Sequence, residues 1–185
     1  MKRTFVLLLS LLMLLSFCGC MQGGLQASDT TIPTETTVPS STREAEIQLE
    51  YSLEGMVELQ DATLYVGNGY SIYIPNDNWL VTERDDGSVS WRSRYNSNVT
   101  LDVIPSAGET FDQAKGRLFA GYTGLEVDGE YVYGYDEVNQ VYLAARFIET
   151  PNGILAAIWN YDLESAEGFG ARLRVIAATV MMEEN

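Results

Sequence analysis

Residues 141–162 read VYLAARFIETPNGILAAIWNYD, two runs of β-prone residues separated by Thr150-Pro151-Asn152-Gly153. An Asn-Gly pair between two such runs favours a tight hairpin turn, because both residues tolerate positive φ. The stretch therefore predicts two antiparallel strands, Val141 to Glu149 and Ile154 to Asp162. Strands joined in this way, with helices between groups of them, indicate an α+β fold rather than a doubly wound parallel sheet.

A helical pattern lies on each side of this hairpin. Upstream, Thr110-Phe111-Asp112-Gln113 fits a capping box, in which two side chains satisfy free amides at a helix start. Gly121 or Gly124 is expected to end that helix. Its apolar face is predicted to consist of Phe111, Ala114, Leu118 and Tyr122. A closing helix is predicted from the helical spacing of Phe169, Leu173, Ile176, Ala177 and Val180.

The remaining strands are predicted from period-two alternation and from turn residues such as Asp86-Gly87. They are Ile47 to Leu53, Ala62 to Val66, Tyr70 to Ile74, Trp79 to Glu83, Val89 to Tyr95, Val99 to Ile104 and Tyr131 to Tyr135. The complete pattern predicts an antiparallel sheet of hairpins packed against two helices.

One motif in this pattern resembles a known family. Gly69-Tyr70-Ser71-Ile72-Tyr73-Ile74-Pro75, followed by Trp79, is similar to the opening of PsbP-like domains. The later order of hairpin, strand, capped helix, hairpin and closing helix is similar as well, so the resemblance extends from about Ala62 to Glu183. It implies a PsbP-like fold and a small adaptor or accessory domain, in a family usually without a known catalytic centre.

The N-terminus has the pattern of an export signal. Lys2 and Arg3 precede an uncharged run from Phe5 to Phe17, which is shorter than the roughly 20 apolar residues of a membrane span. Phe17-Cys18-Gly19-Cys20 resembles the lipobox of bacterial lipoproteins. That resemblance implies removal of residues 1–19 and lipidation of Cys20. Cys18 is a rival position, disfavoured by the bulky Phe17 before it, and an ordinary signal peptide is the alternative.

These features divide the chain into three segments. Residues 1–19 are the predicted signal peptide, and residues 20–43 contain Cys20 and a spacer rich in Thr, Ser and Pro, which we expect to be disordered. Residues 44–185 form the predicted single α+β domain. Acyl chains on Cys20 would hold the protein in the lipid bilayer, on the outer face of the cell membrane.

The composition disfavours several classes of activity. The chain has 11 Lys+Arg, 26 Asp+Glu and no His, with a net charge of −15. Histidine-dependent catalysis is therefore excluded, and nucleic acid is not expected as a partner, because binding phosphates needs clustered cations. Neither Asn76-Asp77-Asn78 nor Asp136-Glu137-Val138-Asn139 matches an EF-hand loop, so turn chemistry is favoured over calcium. We expect no catalytic residues, no metal and no cofactor.

Two strands carry candidate binding residues. In Trp91-Arg92-Ser93-Arg94-Tyr95, alternation places Arg92 and Arg94 on one face and the aromatic residues with Ser93 on the other. Arg92 and Arg94 could bind a carboxylate or phosphate, although pairing with the protein's own acids is favoured. The second candidate set is a stripe suited to protein or glycan recognition, formed by Tyr131, Tyr133 and Tyr135.

The sequence leaves three functional hypotheses. The first is a non-enzymatic, membrane-anchored accessory lipoprotein that binds another exported protein. The second is a surface carrier of a small ligand, bound on the concave face of the sheet. The third is a hydrolase of wall glycans that uses carboxylates, although no spacing in the sequence singles out a catalytic pair.

Overall fold

Strands dominate the computed structural model, which describes residues 41–53 and 55–183. The strands are β1 Glu46–Leu53, β2 Met56–Val66, β3 Tyr70–Pro75, β4 Trp79–Glu83, β5 Val89–Ser93, β6 Thr100–Ala107, β7 Thr123–Asp128, β8 Tyr131–Asp136, β9 Val141–Thr150, β10 Gly153–Asp162 and β11 Met181–Met182. The helices are α1 Phe111–Leu118 and α2 Ala171–Ala178.

The predicted signal peptide, Cys20 and all of the predicted spacer up to residue 40 lie outside the described residues. The described residues all belong to one compact unit. Neither of the helices in this part of the chain is long and apolar enough to cross a membrane.

The strands form two antiparallel sheets, where the sequence predicted one. The large sheet has the order β4-β5-β6-β10-β9-β8-β7, and the small sheet has the order β1-β2-β3-β11. The α+β class with antiparallel hairpins and two helices is thus confirmed, but the molecule is richer in sheet than expected. The division falls between β3 and β4, which follow each other in sequence but do not pair, and local patterns do not show which consecutive strands pair.

The hairpin predicted at residues 141–162 is present, and it forms the centre of the large sheet. β9 and β10 pair without a register shift from Thr150 opposite Gly153 to Val141 opposite Asp162. β10 also pairs with β6 along its length, so its backbone groups are satisfied on both sides. Both strands of this hairpin therefore lie inside the sheet, with a neighbouring strand on each side.

Both helices depart from their predicted limits. The capping box at Thr110 and Gln113 is present, but α1 ends at Leu118 and not at a later glycine. Tyr122 consequently lies beyond the helix, where its ring packs edge-on against Phe119 at 5.9 Å between centroids. At the other end, a 3₁₀ turn and a π-helical turn precede α2, so Phe169 lies before the α-helix proper.

The two faces of the large sheet cover two separate cores. We call them the α2 face, which carries Leu155, Ala157 and Trp159, and the α1 face, which carries Ile154, Ala156 and Ile158. The α2 face packs with α2 and the small sheet, and the α1 face packs with α1. This division determines on which side of the sheet each candidate residue lies.

The first described residues contact the last ones. The Arg43 guanidinium donates to the Ser71 hydroxyl at 2.8 Å and to the Thr179 carbonyl at 2.9 Å, and it lies 4.3 Å from the centre of the Tyr73 ring. Ser41 donates to the Glu183 carboxylate at 2.7 Å. The last residues of the predicted spacer are therefore attached to the folded part.

Candidate functional site

Arg92 lies on the exposed part of the α1 face. It is opposite Leu80 on β4 and Thr100 on β6, while its neighbours Trp91 and Ser93 are buried. The alternation seen in the sequence therefore describes β5 correctly as far as Ser93. Helix α1 does not cover this region, so the Arg92 side chain is exposed.

The prediction for Tyr95 is wrong, because β5 ends two residues earlier. The Ser93 hydroxyl accepts hydrogen bonds from the amides of Tyr95, at 3.2 Å, and Asn96, at 3.4 Å. These bonds turn the chain away from the strand direction. Tyr95 is consequently 77% exposed, instead of sharing the buried face of Trp91.

The expectation that Arg92 and Arg94 pair with acids of the protein is also wrong for the part of the chain that the structure describes. Neither takes part in an ion pair there, and the Arg94 Nε donates only to the Trp79 carbonyl at 3.3 Å. The described ion pairs use other cations: Arg84–Asp102, Lys115–Asp112, Arg117–Glu109, Arg146–Glu130, Arg172–Glu58 and Arg174–Asp128. Toward the rest of the described residues, Arg92 and Arg94 therefore keep their charges unpaired.

The strand beside these arginines has a free edge. β4 is the terminal strand of the large sheet, and its Leu80 and Val81 are 45% and 52% exposed. We define the edge patch as β4 together with Arg92, Arg94 and Tyr95. It combines outward-pointing backbone groups, two exposed aliphatic side chains, two guanidinium groups, the half-buried ring of Trp79 and the exposed ring of Tyr95.

Hydrogen bonds at the end of β5 show which groups of β4 are free. The Ser93 amide donates to the Val99 carbonyl, so it points away from β4, whereas the Arg94 amide donates to the Asn78 carbonyl. Because backbone groups alternate in direction along an antiparallel strand, those of Trp79, opposite Ser93, point to the free edge. The same alternation directs the backbone groups of Val81 and Glu83 outward.

A cluster of polar side chains fixes the loop that follows Tyr95. The Asp162 carboxylate accepts hydrogen bonds from the Ser165 amide at 2.9 Å, from Asn96 Nδ2 at 3.1 Å and from Asn98 Nδ2 at 3.2 Å. The bonds from Ser165, Asn96 and Asn98 lower the pKa of Asp162 from 3.8 to about 2. Asp162 therefore connects the end of β10 to the loop beside the edge patch.

This pKa predicts an acid-dependent loss of stability. Because the pKa of Asp162 is lower in the folded state, its contribution is fully present above about pH 5 and disappears as the pH falls towards about 2. In urea unfolding, the difference in stability between the wild type and Asp162→Asn should shrink over that range. A difference that stays constant with pH would contradict this account.

The predicted tyrosine stripe lies on the α2 face, opposite the side on which Arg92 is exposed. Tyr131 and Tyr133 stack with 6.4 Å between ring centroids, and the Arg174 guanidinium lies 5.1 Å and 5.8 Å from the two rings. Burial raises the pKa of Tyr133. Arg174 of α2 thus makes cation–π contacts with both rings, and these contacts stabilise the packing of α2 on the sheet.

Tyr135 belongs to a different arrangement, which the sequence analysis did not predict. It contacts Tyr142 on β9 at 4.7 Å between centroids, and Tyr142 stacks on Tyr161 of β10 at 5.4 Å. The three residues are cross-strand neighbours in one row. The three tyrosines are visible in the sequence, but only the strand register shows that they are neighbours.

A cleft of about 540 Å³ lies on the α1 face, beside α1. Arg84 and Arg117 line it, but Arg84 lies 3.8 Å from Asp102 and Arg117 donates two bonds to Glu109, at 2.9 Å and 2.7 Å. Hydrogen bonding to Arg117 lowers the pKa of Glu109. Both cations of this cleft are therefore already paired.

The acidic loop at Asp136 has the turn contacts that the sequence favours, whereas the contact at Asp77 comes from a side chain of β2. The Asp136 carboxylate accepts bonds from the amides of Val138, at 2.9 Å, and Asn139, at 3.0 Å, and Asp77 accepts one from Gln60 at 2.7 Å. Over residues 41–53 and 55–183, no three His, Cys, Asp or Glu side chains converge as a metal site.

Comparison with known proteins shows a likeness in structure but none in sequence. No protein-family model and no curated protein matches the sequence. Among solved structures, the chain is similar to the solution structure of cyanobacterial PsbP (CyanoP) from Synechocystis sp. PCC 6803. The TM-score is 0.42 at 12% sequence identity, over 65% of this chain and 92% of that chain.

Proposed function

We propose that this protein is a non-enzymatic accessory lipoprotein with a PsbP-like domain, which binds another exported protein through the edge patch. The observation that carries the proposal is the presence, beside an exposed edge strand, of two arginines that form no ion pair with any described residue. Arginine and tyrosine are enriched where protein interfaces have their largest energetic contributions, and the patch has both in Arg92, Arg94 and Tyr95.

The anchoring part of the proposal depends on the sequence alone. The lipobox-like residues at Cys20 support attachment to the outer face of the cell membrane, and the spacer supports a domain held just above the bilayer. On a membrane, even a modest affinity for a neighbouring protein is sufficient, because both molecules are confined to one surface.

The edge patch is favoured over the tyrosine stripe for a physical reason. Tyr131 and Tyr133 already contact Arg174, so a partner would have to displace an internal contact. Arg92 and Tyr95 are exposed and have no such contact with a described side chain. Tyr135 stays a secondary candidate, within its row of three tyrosines.

Site-specific photocrosslinking on intact cells tests this function. A photoreactive amino acid replaces Tyr95 in the full-length protein, and a matched control carries it at Val138, which is 90% exposed and lies in the β8–β9 turn. We expect position 95 to capture one dominant exported protein and position 138 not to capture it. A secreted Cys20→Ala variant should lose the capture if tethering is required.

Equal capture at positions 95 and 138, or none at either, would contradict the proposed function. In that case a small-ligand carrier is the second candidate, because the cleft of about 540 Å³ beside α1 offers space for a ligand. A thermal-shift screen with metabolites would then show stabilisation that rises with the logarithm of the ligand concentration.

A further inference from the structure

We propose that the partner contributes an extended segment bearing a carboxylate, which adds to β4 as the eighth strand of the large sheet. This inference rests on the proposed function and specifies the chemistry of the partner. It is drawn from three properties of the edge patch: its backbone, its charge and the side chains along the strand.

The backbone of β4 offers a regular template for another strand. Its pairing with β5 has no register shift from Trp79 to Glu83, so β4 contains no bulge. The outward N–H and C=O groups of Val81 and Glu83 have no backbone partner in the described structure. A peptide that pairs with these groups satisfies them in the way the sheet already satisfies its inner strands.

The opposite edge of the sheet is less suitable. β7 has a register shift between Thr123 and Glu126, and its exposed side chains include Glu126 and Asp128. Irregular and charged edges are the usual protection against strand addition. β4 has neither an irregular register nor a run of acidic side chains.

The charge of the patch determines the chemistry of the added segment. Arg94 reaches the Trp79 carbonyl, which points to the free edge, so its guanidinium lies where an added strand would begin or end. Arg92 lies one strand further in and is opposite Leu80. A carboxylate that forms hydrogen bonds with Arg94 would provide the charge partner that this arginine does not have within the described part of the chain.

A second copy of the protein fits the edge less well. Pairing two β4 strands antiparallel around Val81 brings Trp79 opposite Glu83 of the other copy, the only carboxylate on the strand. That carboxylate already accepts a hydrogen bond from the Tyr65 hydroxyl at 2.8 Å. Such a dimer also brings the arginines of both copies to one interface, with like charges close together.

Selection from a displayed peptide library on detergent-purified full-length protein tests the inference. We expect the selected peptides to be rich in β-branched residues and to carry Asp, Glu or a free C-terminus. Amidation of the C-terminus and Glu→Gln changes in the peptide identify which carboxylate is used. Arg94→Gln should lower the affinity for these peptides at least about tenfold, a typical effect of losing a charge-assisted pair at an interface.

The backbone contribution is tested at Val81. Val81→Pro removes an outward amide without breaking the β4–β5 ladder, and Val81→Thr keeps the amide as the matched control. We expect peptide affinity to fall at least about tenfold in the proline variant and to stay unchanged in the threonine variant. Equal binding by both variants would rule out strand addition.

Hydrogen exchange on the wild-type protein gives an independent result if the proline variant fails to fold. Peptide binding should protect the amides of Val81 and Glu83 and leave those of β7 unchanged. Capture of a protein at position 95 without this protection would overturn strand addition and leave the proposed function standing. A dimer in sedimentation velocity that Val81→Pro abolishes would identify a second copy as the occupant and overturn the inference.

Discussion

Replacement of Gly153 by alanine should lower the free energy of unfolding by about 3 kcal/mol. Gly153 begins β10 with φ at +139°, a conformation that side chains with a Cβ rarely adopt. A Cβ there would lie 2.3 Å from the Ser106 carbonyl oxygen and 2.8 Å from the Gly108 nitrogen. Both are backbone atoms, so no side-chain rotation can relieve the clash.

Urea unfolding measures this loss, with Gly116→Ala as the matched control. Gly116 lies in α1, where a Cβ would meet no atom within 4 Å. Alanine is favoured over glycine inside a helix by about 0.5–1 kcal/mol, so this variant should be more stable than the wild type. A Gly153→Ala protein as stable as the wild type would show that the hairpin and β6 can separate without cost.

Replacement of Arg146 by methionine should cost about 2–4 kcal/mol. The Arg146 Nη1 donates to the carbonyls of Ala177 at 3.3 Å, Ala178 at 2.9 Å and Val180 at 3.0 Å, and its Nε donates to Glu130 at 2.8 Å. These carbonyls lie at the C-terminal end of α2, where no helical amide is available. Methionine preserves the packing of the stem and removes every one of these bonds.

Arg92→Met is the matched control for this substitution. Arg92 is exposed and makes no side-chain hydrogen bond with a described residue. The free energy of unfolding of the Arg92→Met protein should therefore differ from that of the wild type by less than about 0.5 kcal/mol. Arg146→Lys keeps the positive charge but not the planar guanidinium group. Its loss of stability should lie between those of Arg146→Met and Arg92→Met. Equal stability of the Arg146→Met and Arg92→Met proteins would mean that water replaces the lost bonds at the end of α2.

Local patterns in the sequence predicted the elements whose contacts are also local. The hairpin around Asn152-Gly153 and the capping box at Thr110 are both present, because each is determined by residues only a few positions apart. The alternation along β8 likewise placed Tyr131 and Tyr133 on one face, with Val132 buried on the other. In these segments short-range chemistry and tertiary packing agree.

The elements that were missed depend on distant partners or lack a hydrophobic pattern. All residues of β7 are exposed, so Thr123–Asp128 has no alternation that indicates a buried face. The first half of β2, Met56–Asp61, is similarly exposed except at Gln60, and only Ala62–Val66 was predicted. No local signal could show that Met181 and Met182 return to pair with β3.

The candidate site was predicted in part. The exposed position of Arg92 follows from alternation in β5, but the position of Tyr95 depends on a single hydroxyl, that of Ser93. The sequence could not show that Arg92 and Arg94 form no ion pair with a described residue, because a chain with 26 Asp+Glu residues favours pairing. Which strand lies at the edge of the sheet is a topological fact that the sequence does not state.

The contact between Ser41 and Glu183 spans a sequence separation of 142 residues, and it has a consequence for how the chain folds. The N-terminal strands β1 and β3 bury Tyr51 and Ile72 in the same core as Leu173 and Ile176 of α2. The small sheet therefore cannot complete its core without α2. Contacts of such long range slow folding, so the apolar side chains of β1 and β3 stay uncovered until α2 packs against them.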